Sequence, residues 1–252
     1  MTLAFSKPTR DVEAQRRLFD SYRAAGYDGL QLKGNQYAPY LHSPKRFQDE
    51  WGDDASHVES LITMNPLDAD GTARLRELFA FAAGVGATRV VLCHDVPHDG
   101  LTDYDLTGIA RMMSGLGREA SDQGVRLSLH HHTNEPVMHR RDFDVFFTAV
   151  EDGAVALTVD TGHLMKSEVF DIAGLLRDLA AVIDNVHLKD YADGEFRLLG
   201  QGTVEFGDVL AALSGLDAGA TICVDEESRA EIGEGLDVSR RFLAPWLAGL
   251  PA

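Results

Sequence analysis

Residues 155–190 read VALTVDTGHLMKSEVFDIAGLLRDLAAVIDNVHLKD, and this stretch carries the pattern that decides the fold. Two short runs built on Val and Leu, 155–160 and 185–190, lie at its ends and have the length of buried strands. Between them, apolar residues recur at helical spacing, at Ile172, Leu175, Leu176, Leu179 and Ile183. The stretch therefore predicts a strand, an amphipathic helix and a second strand parallel to the first.

The same alternation of strand and helix fills the rest of the chain. Further helical faces are predicted from Leu75, Leu78, Phe79 and Ala82, and from Ile109, Met112, Met113 and Leu116. The candidate strands are 3–5, 29–33, 60–64, 89–94, 125–130, 155–160, 185–190 and 221–226. This number of strands in 252 residues predicts an α/β fold, a single (β/α)8 TIM barrel over residues 1–252. An open doubly wound sheet is disfavoured, because no glycine-rich turn follows the first strand.

One long segment, GNQYAPYLHSPKRFQDEWGDDASHV (34–58), interrupts this pattern. It is rich in aromatic residues and contains two prolines. We expect an extended loop with little regular helix after the second strand. Long loops at this end of a barrel commonly carry binding residues, so the segment is predicted to cover the substrate.

The charge and composition exclude several classes of partner. The formal net charge is −17 at pH 7, whereas nucleic acids and anionic membranes both attract basic surfaces. No segment approaches the roughly 20 apolar residues that span a bilayer, and the start does not resemble a signal peptide. Cys93 and Cys223 lie in separate apolar runs and are predicted to be buried thiols. These features together predict a cytoplasmic protein that binds neither nucleic acid nor membrane.

Polar residues that can bind metal or move protons follow the predicted strands at one end. In a parallel barrel these ends surround a single mouth, where the active sites of barrel enzymes lie. Imidazoles and carboxylates gathered there match the ligands of a divalent ion. In chain order, the residues are Lys33, His94, Asp95, His130, His131, His132, Asp160, His163, His187, Lys189, Asp190, Asp225, Glu226 and Glu227.

Some of these residues also have ordinary structural explanations. Asp160 is placed to cap a helix, and His187 is placed to lie in the core with a bond to a backbone carbonyl. The DEES segment (225–228) has the composition of a solvated strand end. A Schiff-base lysine at Lys33 or Lys189 is disfavoured, because the neighbouring imidazoles and carboxylates would then have no clear purpose.

The histidine triplet in VRLSLHHHTNE (125–135) is less easily explained by structure alone. Strand alternation places His130 and His132 on one face and His131 on the other. Two imidazoles of the triplet are therefore predicted to point into the barrel. Glu135 follows closely enough to be a further candidate proton carrier.

Three motifs occur in the order and spacing of a known family: VDTGHL (159–164), NVHLKD (185–190) and LGQGTVEF (199–206). With them the chain resembles the xylose isomerase-like TIM barrels, the sugar phosphate isomerase/epimerase superfamily, over nearly its whole length. The segment LSLHHHTNE (127–135) is also similar to the fifth strand of the inosose dehydratase branch.

The resemblance implies one divalent cation, with Mn²⁺ as the first choice and Mg²⁺, Co²⁺ or Zn²⁺ as alternatives. It implies that Asp160 and His187 are ligands. On the fifth strand, His130 occupies the place where most members have a glutamate. On the last strand, Glu226 is preferred as ligand over Asp225. The residues predicted to contact the substrate are Lys33, His94, His163, Lys189 and Arg197.

The chemistry that the resemblance implies is proton abstraction next to a carbonyl, through an enediolate. A sugar isomerase or epimerase is the leading hypothesis. The alternative is a dehydratase or lyase that acts on a keto-inositol or on a 3-keto-sugar or glycoside. A degenerate barrel without catalysis is the third, and association into a homo-oligomer stays open. The candidate catalytic groups are His130, His132, Glu135 and Glu226.

Overall fold

A computed structural model describes residues 1–52, 57–151 and 153–249. Eight parallel strands form a closed barrel in which the first strand pairs with the last, so the predicted (β/α)8 TIM barrel is confirmed. The barrel strands are β1 (Thr2–Ser6), β2 (Gly29–Leu32), β3 (Val58–Asn65), β4 (Arg89–His94), β5 (Arg126–His130), β6 (Ala156–Asp160), β7 (Ile183–Leu188) and β10 (Thr221–Asp225). Two short strands, β8 (Asp190–Ala192) and β9 (Glu195–Arg197), form a separate antiparallel hairpin.

Helices cover the outside of the barrel, and several begin at side chains that cap them. Asp11 accepts the backbone N–H of Ala14 at 2.7 Å, and Asp68 accepts that of Gly71 at 2.8 Å. The helices are α1 (Val12–Ser21), α2 (Gly34–Tyr37), α3 (Pro44–Trp51), α4 (Ala69–Val85), α5 (Asp103–Ser121), α6 (Arg140–Ala149), α7 (Thr161–Lys166), α8 (Ile172–Asp178), α9 (Phe206–Leu213) and α10 (Ile232–Leu247), with a 3₁₀ turn at Ala38–Tyr40. Within the described ranges, no helix combines the length and apolar character needed to cross a membrane.

Two residues assigned to helical faces from the sequence have different positions. Helix α8 ends at Asp178, and Ile183 begins β7 instead of continuing the helix. Met112 is 47% exposed, because this position of α5 faces away from the barrel, while Met113 is fully buried. The apolar pattern of α5 is therefore narrower than the sequence indicated.

The prediction that segment 34–58 has little regular helix is wrong. It contains α2, the 3₁₀ turn and α3, which starts at Pro44, a residue well suited to a first helical turn. The aromatic rings of Phe47 and Trp51 are buried and contact Phe19 of α1. These side chains join the hydrophobic core and do not cover the mouth. Residues 53–56 of the segment lie outside the described residues.

The main hydrophobic core lies between the strands and the helices. Outward-facing strand residues such as Leu127 and Val159 share one buried cluster with the helical residues Phe143 and Phe146. A separate apolar cluster, formed by Ile62, Val91 and Cys93, lies inside the barrel. Cys93 and Cys223 are both free and buried, as predicted.

A polar layer fills the amino-terminal end of the barrel. Arg89 Nε donates to Asp184 Oδ2 at 2.8 Å, and its Nη1 donates to Glu59 and to Thr221. Ser128 Oγ donates to the other oxygen of Asp184 at 2.8 Å. Buried charges are tolerated when they are paired and hydrogen-bonded in this way. The paired charges at the amino-terminal end therefore stabilise the barrel. The carboxyl-terminal end is free of this network and can hold a functional site.

Replacing Arg89 with alanine is expected to destabilise the fold by about 3–5 kcal/mol, because Asp184 would keep a buried charge without its main partner. Arg126 contacts the same carboxylate at 3.5 Å but has a side chain that is 59% exposed. Arg126→Ala is the matched control, with an expected loss of about 0–1 kcal/mol. Urea unfolding followed by circular dichroism measures both variants, and equal losses would contradict the role assigned to burial.

Candidate active site

Three interior side chains meet at the carboxyl ends of β5, β6 and β7. They are His130, Asp160 and His187, and all three are buried. One ligand atom of each lies within 4.8 Å of the others. Asp160 Oδ2 is 3.4 Å from His130 Nε2 and 3.6 Å from His187 Nδ1. Two imidazoles and a carboxylate at these separations can hold a divalent metal ion.

Asp160 serves the local fold and this cluster at the same time. Its Oδ1 accepts the backbone N–H of His163 at 2.8 Å and caps α7, so Oδ2 is left to face the cluster. The backbone N–H of Asp160 donates to His131 Nε2 at 2.8 Å. The His131 ring lies against Phe143, outside the barrel, as strand alternation predicts. The helix cap predicted for Asp160 is therefore confirmed. The same cap also fixes the direction of its carboxylate.

His187 has one nitrogen with a partner and one without. Its Nε2 is 3.0 Å from Gln31 Oε1, and an amide oxygen only accepts, so Nε2 carries the proton. Nδ1 is therefore a buried lone pair, and it has no hydrogen-bond partner among the described residues. It faces Oδ2 of Asp160 and Oδ2 of Asp225, at 3.6 and 3.7 Å. An orphaned imidazole nitrogen beside two carboxylates fits a metal ion.

The geometry reverses the sequence preference for Glu226 over Asp225. Asp225 ends β10 and points into the barrel, toward His187. Adjacent strand residues point to opposite faces, so Glu226 is directed away from the cluster. Its carboxylate accepts the N–H of Ser228 at 2.5 Å and lies 3.6 Å from Lys7 Nζ. Of the two carboxylates, Asp225 is therefore the candidate for a fourth ligand, and Glu226 is not.

Two lysines and two carboxylates form a closed ring of ion pairs beside the cluster. Lys33 Nζ lies 2.6 Å from Asp225 Oδ1 and 2.8 Å from Glu227 Oε1. Lys189 Nζ lies 2.8 Å from the second oxygen of each carboxylate, and 3.2 Å from Asp160 Oδ2. Both ammonium groups are therefore held at the mouth of the barrel by carboxylates on either side.

Burial and ion pairing act against each other on the pKa values of the two lysines and of Asp160 and Asp225. Burial lowers the pKa of Lys189, but the neighbouring carboxylates outweigh it and hold that pKa well above its usual range. The same balance raises the pKa of Lys33 to about 12. Burial raises the pKa of Asp160 and Asp225, but the lysines outweigh it and bring both pKa values well below the usual range. At neutral pH all four groups are charged.

The DTGH segment positions Lys189. Thr161 Oγ1 donates to the backbone oxygen of Lys189 at 2.6 Å and accepts its N–H at 2.9 Å. A Cβ on Gly162 would lie 2.8 Å from Lys189 Cγ, closer than real side chains approach. The glycine therefore leaves the space through which the lysine stem reaches the carboxylates.

The GQG loop is organised by Asp190 and does not form a phosphate site. Asp190 accepts the backbone N–H groups of Gly200, Gly202 and Val204 at 2.8–3.1 Å. The same residue begins the β8–β9 hairpin, which places the Phe196 ring 4.6 Å from Lys189 Nζ. Phe196 is a site residue that the sequence does not reveal, because no local pattern marks a hairpin that folds back over the mouth.

Imidazoles form one wall of the mouth. The rings of His132 and His163 have centroids 3.8 Å apart, and His130 lies 5.6 Å from His163. His132 Nδ1 is 3.0 Å from the backbone oxygen of Thr133, so this nitrogen donates and Nε2 is left as an acceptor. Burial lowers the pKa of His132, and it lowers the pKa of His130 to about 4. These rings are therefore neutral at neutral pH.

Two residues expected to contact substrate do not reach the mouth. His94 points outward from β4 into a small enclosed space beside Leu129, because the last residue of that strand lies on the outer face. Arg197 makes ion pairs with Asp193 and Glu195 at 3.7 and 3.6 Å, on the outer side of the hairpin. The predictions for His94 and Arg197 therefore place them incorrectly.

Glu135 lies behind the imidazole wall. It is 7% exposed and shares the enclosed space with His94, while its Oε1 is 3.7 Å from His132 Nδ1. Burial raises the pKa of Glu135 to about 8. The carboxyl is therefore protonated at neutral pH, and His132 lies between it and the mouth.

A cavity of about 200 Å³ opens above these groups. One side is apolar and is formed by Ile62, Met64 and Cys93, whereas the rest is polar. A larger recess of about 1000 Å³ lies at the other end of the barrel, but its buried Arg89 is already paired. Unlike this recess, the small cavity is lined by imidazoles, carboxylates and ammonium groups together. The polar residues that line it are Lys33, His130, His132, His163, Lys189, Asp225 and Glu227.

The chain belongs to the xylose isomerase-like TIM barrel family, whose model matches residues 19–244. It is 25% identical to an inosose dehydratase of Lacticaseibacillus casei over 217 residues, which are 79% of this chain and 69% of that protein. It is 26% identical to an inosose dehydratase of Clostridium beijerinckii over 152 residues, 53% of this chain and 51% of that protein. The chain thus spans about half the length of the first curated relatives that it matches.

Solved structures share the same barrel. The IOLI protein with a zinc atom has a TM-score of 0.76 and 16% sequence identity, with 98% of both chains covered. A D-allulose 3-epimerase from Methylomonas sp. in complex with D-allulose has a TM-score of 0.78 and 17% identity, with 99% of this chain and 97% of that chain covered. At these identities the likeness establishes the fold.

The Glu135→Gln variant is expected to be more stable than the wild type at pH 8. Between pH of about 4.5 and about 8, Glu135 is protonated in the folded protein and ionised in the unfolded chain. The free energy of unfolding of the wild type therefore falls as the pH rises through this range. Each pKa unit corresponds to about 1.4 kcal/mol, so the expected gain is on the order of 2–4 kcal/mol. Urea unfolding from pH 5 to 8 measures it, with exposed Glu77→Gln as control. Parallel pH profiles for Glu135→Gln and wild type would contradict the burial of a protonated carboxyl.

The Gly162→Ala variant is expected to displace Lys189, because the added methyl would occupy the path of its side chain. A misplaced group near the reacting atoms can cost about 10²-fold in turnover. Gly207→Ala, at a helical position with no neighbouring atom within 4 Å, is the matched control. Turnover at saturating metal, measured beside circular dichroism, checks the result. Equal activity of the two alanine variants would show that Lys189 does not need this space.

Proposed function

We propose that this chain is a divalent-metal-dependent dehydratase, a carbon–oxygen lyase that removes water from a small polyhydroxylated ketone such as a keto-inositol. The observation that carries the proposal is the imidazole wall formed by His130, His132 and His163. Among the described residues that line the mouth, no carboxylate lies on this wall. The inosose dehydratases among the sequence relatives support the same reaction class.

Four residues would hold the metal ion: His130, Asp160, His187 and Asp225. When bound, such an ion acts as a Lewis acid that polarises a ketone and lowers the barrier to removal of the neighbouring proton. The protein supplies the proton acceptor, the proton donor and the orientation of the substrate.

His132 is the proposed proton carrier. Its Nδ1 donates to the backbone oxygen of Thr133, so the free Nε2 can accept a proton from the carbon next to the ketone. The resulting imidazolium returns this proton to the β-hydroxyl as the carbon–oxygen bond breaks. Water leaves, and a carbon–carbon double bond remains in conjugation with the ketone. The His163 ring, 3.8 Å from that of His132, limits its movement during both transfers.

An epimerase is the second candidate, because Glu227 lies at the mouth as another proton carrier. Its side chain is 30% exposed. However, each of its oxygens contacts a lysine at 2.8 Å, and these ammonium groups favour the charged carboxylate and weaken it as a base. The sugar epimerase preferred from the sequence therefore becomes the alternative.

An unphosphorylated substrate is part of the proposal. A phosphate requires an unpaired cation or a set of free backbone N–H groups. Lys33 and Lys189 are both paired with carboxylates, and Arg197 is paired on the outer side of the hairpin. The polar lining of the cavity suits the hydroxyls of an uncharged sugar or cyclitol.

Incubation of the metal-loaded protein with a keto-inositol in deuterated water separates the two reactions. A dehydratase gives a product that has lost one water and absorbs in the ultraviolet as a conjugated enone. An epimerase gives recovered ketone that carries deuterium and has the same number of oxygens. The proposal predicts the dehydrated product, which mass spectrometry and ultraviolet absorbance would detect.

The His132→Gln variant is expected to lower the rate by about 10²–10⁴-fold, the usual contribution of a general acid or base. His139→Gln, which changes an exposed histidine at the start of α6, is the matched control and is expected to retain activity. His187→Ala is expected to abolish the metal-dependent rate. Full activity of His132→Gln would exclude His132 as the proton carrier, and full activity of His187→Ala would exclude the proposed ligand set.

A further inference from the structure

The donor atoms of the proposed metal centre differ in kind, and this difference bears on which ion they select. We propose that His130, held in place by Cys93, makes the centre selective for Zn²⁺ and Co²⁺ over Mn²⁺ and Mg²⁺. This inference rests on the proposed function for the existence of the metal centre, but not for the reaction that the centre catalyses. It replaces the preference for Mn²⁺ that the family resemblance implied.

The donor set contains two nitrogens and two oxygens. His130 Nε2 and His187 Nδ1 face Asp160 Oδ2 at 3.4 and 3.6 Å, and Asp225 Oδ2 lies 3.7 Å from His187 Nδ1. Imidazole nitrogens suit Zn²⁺ and Co²⁺, whereas Mg²⁺ and Mn²⁺ prefer carboxylate, carbonyl and water oxygens. A second imidazole in place of a carboxylate therefore strengthens binding of the first pair of ions relative to the second.

The orientation of His130 is fixed by its neighbours. Its Nδ1 lies 3.3 Å from Cys93 Sγ, on the side of the ring away from Asp160. With Nε2 directed at the cluster, Nδ1 carries the proton and donates it to the sulfur. Rings of His187 and His163 pack against His130 with centroids 4.8 and 5.6 Å away. Cys93 acts on the metal only through His130, so it is a positioning residue.

The charges around the cluster favour the same ions as the donor atoms do. Hard ions such as Mg²⁺ depend mainly on electrostatic attraction to carboxylates. Here Lys189 Nζ lies 3.2 Å from Asp160 Oδ2 and 2.8 Å from Asp225 Oδ2, and Lys33 contacts the other oxygen of Asp225. These ammonium groups reduce the electrostatic attraction for every cation, but they leave the lone pairs of the imidazoles unaffected. The two nitrogen donors therefore contribute most of the remaining affinity for a metal ion.

The experiment compares metal affinities of the full chain after removal of metal with a chelator. Competition with a chromophoric chelator gives dissociation constants for Zn²⁺, Co²⁺, Mn²⁺ and Mg²⁺. Zn²⁺ binds more tightly than Mn²⁺ at most protein sites, so the informative quantity is the ratio of the two affinities and its change on mutation. In His130→Glu this ratio is expected to fall by about tenfold or more, because a nitrogen donor becomes an oxygen donor.

Variants at Cys93 test the positioning role. Cys93→Ala is expected to weaken Zn²⁺ binding about tenfold, as is usual when a hydrogen-bond partner of a ligand is lost. Cys93→Ser keeps an acceptor for the His130 N–H and is expected to bind nearly as well as wild type. The visible spectrum of bound Co²⁺ is a second readout, which should change in His130→Glu and stay close to wild type in Cys93→Ser.

The outcomes separate this inference from the proposed function. The inference is overturned if the ratio of Zn²⁺ affinity to Mn²⁺ affinity is unchanged in folded His130→Glu. His130→Gln gives the same comparison if the glutamate variant does not fold. Full Zn²⁺ affinity in Cys93→Ala overturns the role of Cys93. Absence of any bound ion in the folded wild type overturns the metal centre itself. Selective binding of Zn²⁺ without dehydration of any ketone supports the inference and contradicts only the proposed reaction.

Discussion

The two oxygens of Asp160 connect the fold to the site. One caps α7 through the N–H of His163, and the other faces His130, His187 and Lys189. The cap fixes the rotation of the carboxylate, so the position of the second oxygen is set by the backbone of the strand–helix joint. His130 of β5, His187 of β7 and Lys189, which follows β7, converge on that oxygen, so the geometry of the mouth depends on this single joint.

The mouth has two chemically different sides. On one side lie neutral imidazoles, and on the other lies the ring of ion pairs that contains Lys33, Lys189 and Glu227. Groups that are matched in pKa can exchange roles in both directions, as reversible proton transfer on one carbon requires. Groups that differ this much favour a reaction in which one side carries the proton and the other only binds and orients. This asymmetry of charge at the mouth supports the proposed elimination.

Strand alternation explains both the successes and the errors of sequence prediction. The pattern predicted the inward direction of His130, Asp160 and His187, although the first two are the last residues of β5 and β6. It failed at His94 and Glu226, since a shift of one residue at a strand end moves a side chain to the opposite face. The aromatic segment after β2 was misjudged for another reason. Its rings pack against α1, and no local pattern reveals which distant surface will bury them.

The residues that orient the candidate ligands are joined to them across long stretches of chain. Gln31 orients His187 from a position 156 residues away, and Cys93 contacts His130 from 37 residues away. Such pairs leave no periodicity in the sequence, since each partner is read as an ordinary strand residue. Ligand types can therefore be inferred from motifs, but ligand orientation and metal preference follow from neighbours that only the closed barrel brings together. The same strand-end pattern can accordingly support different reactions, and the side chains behind the ligands decide among them.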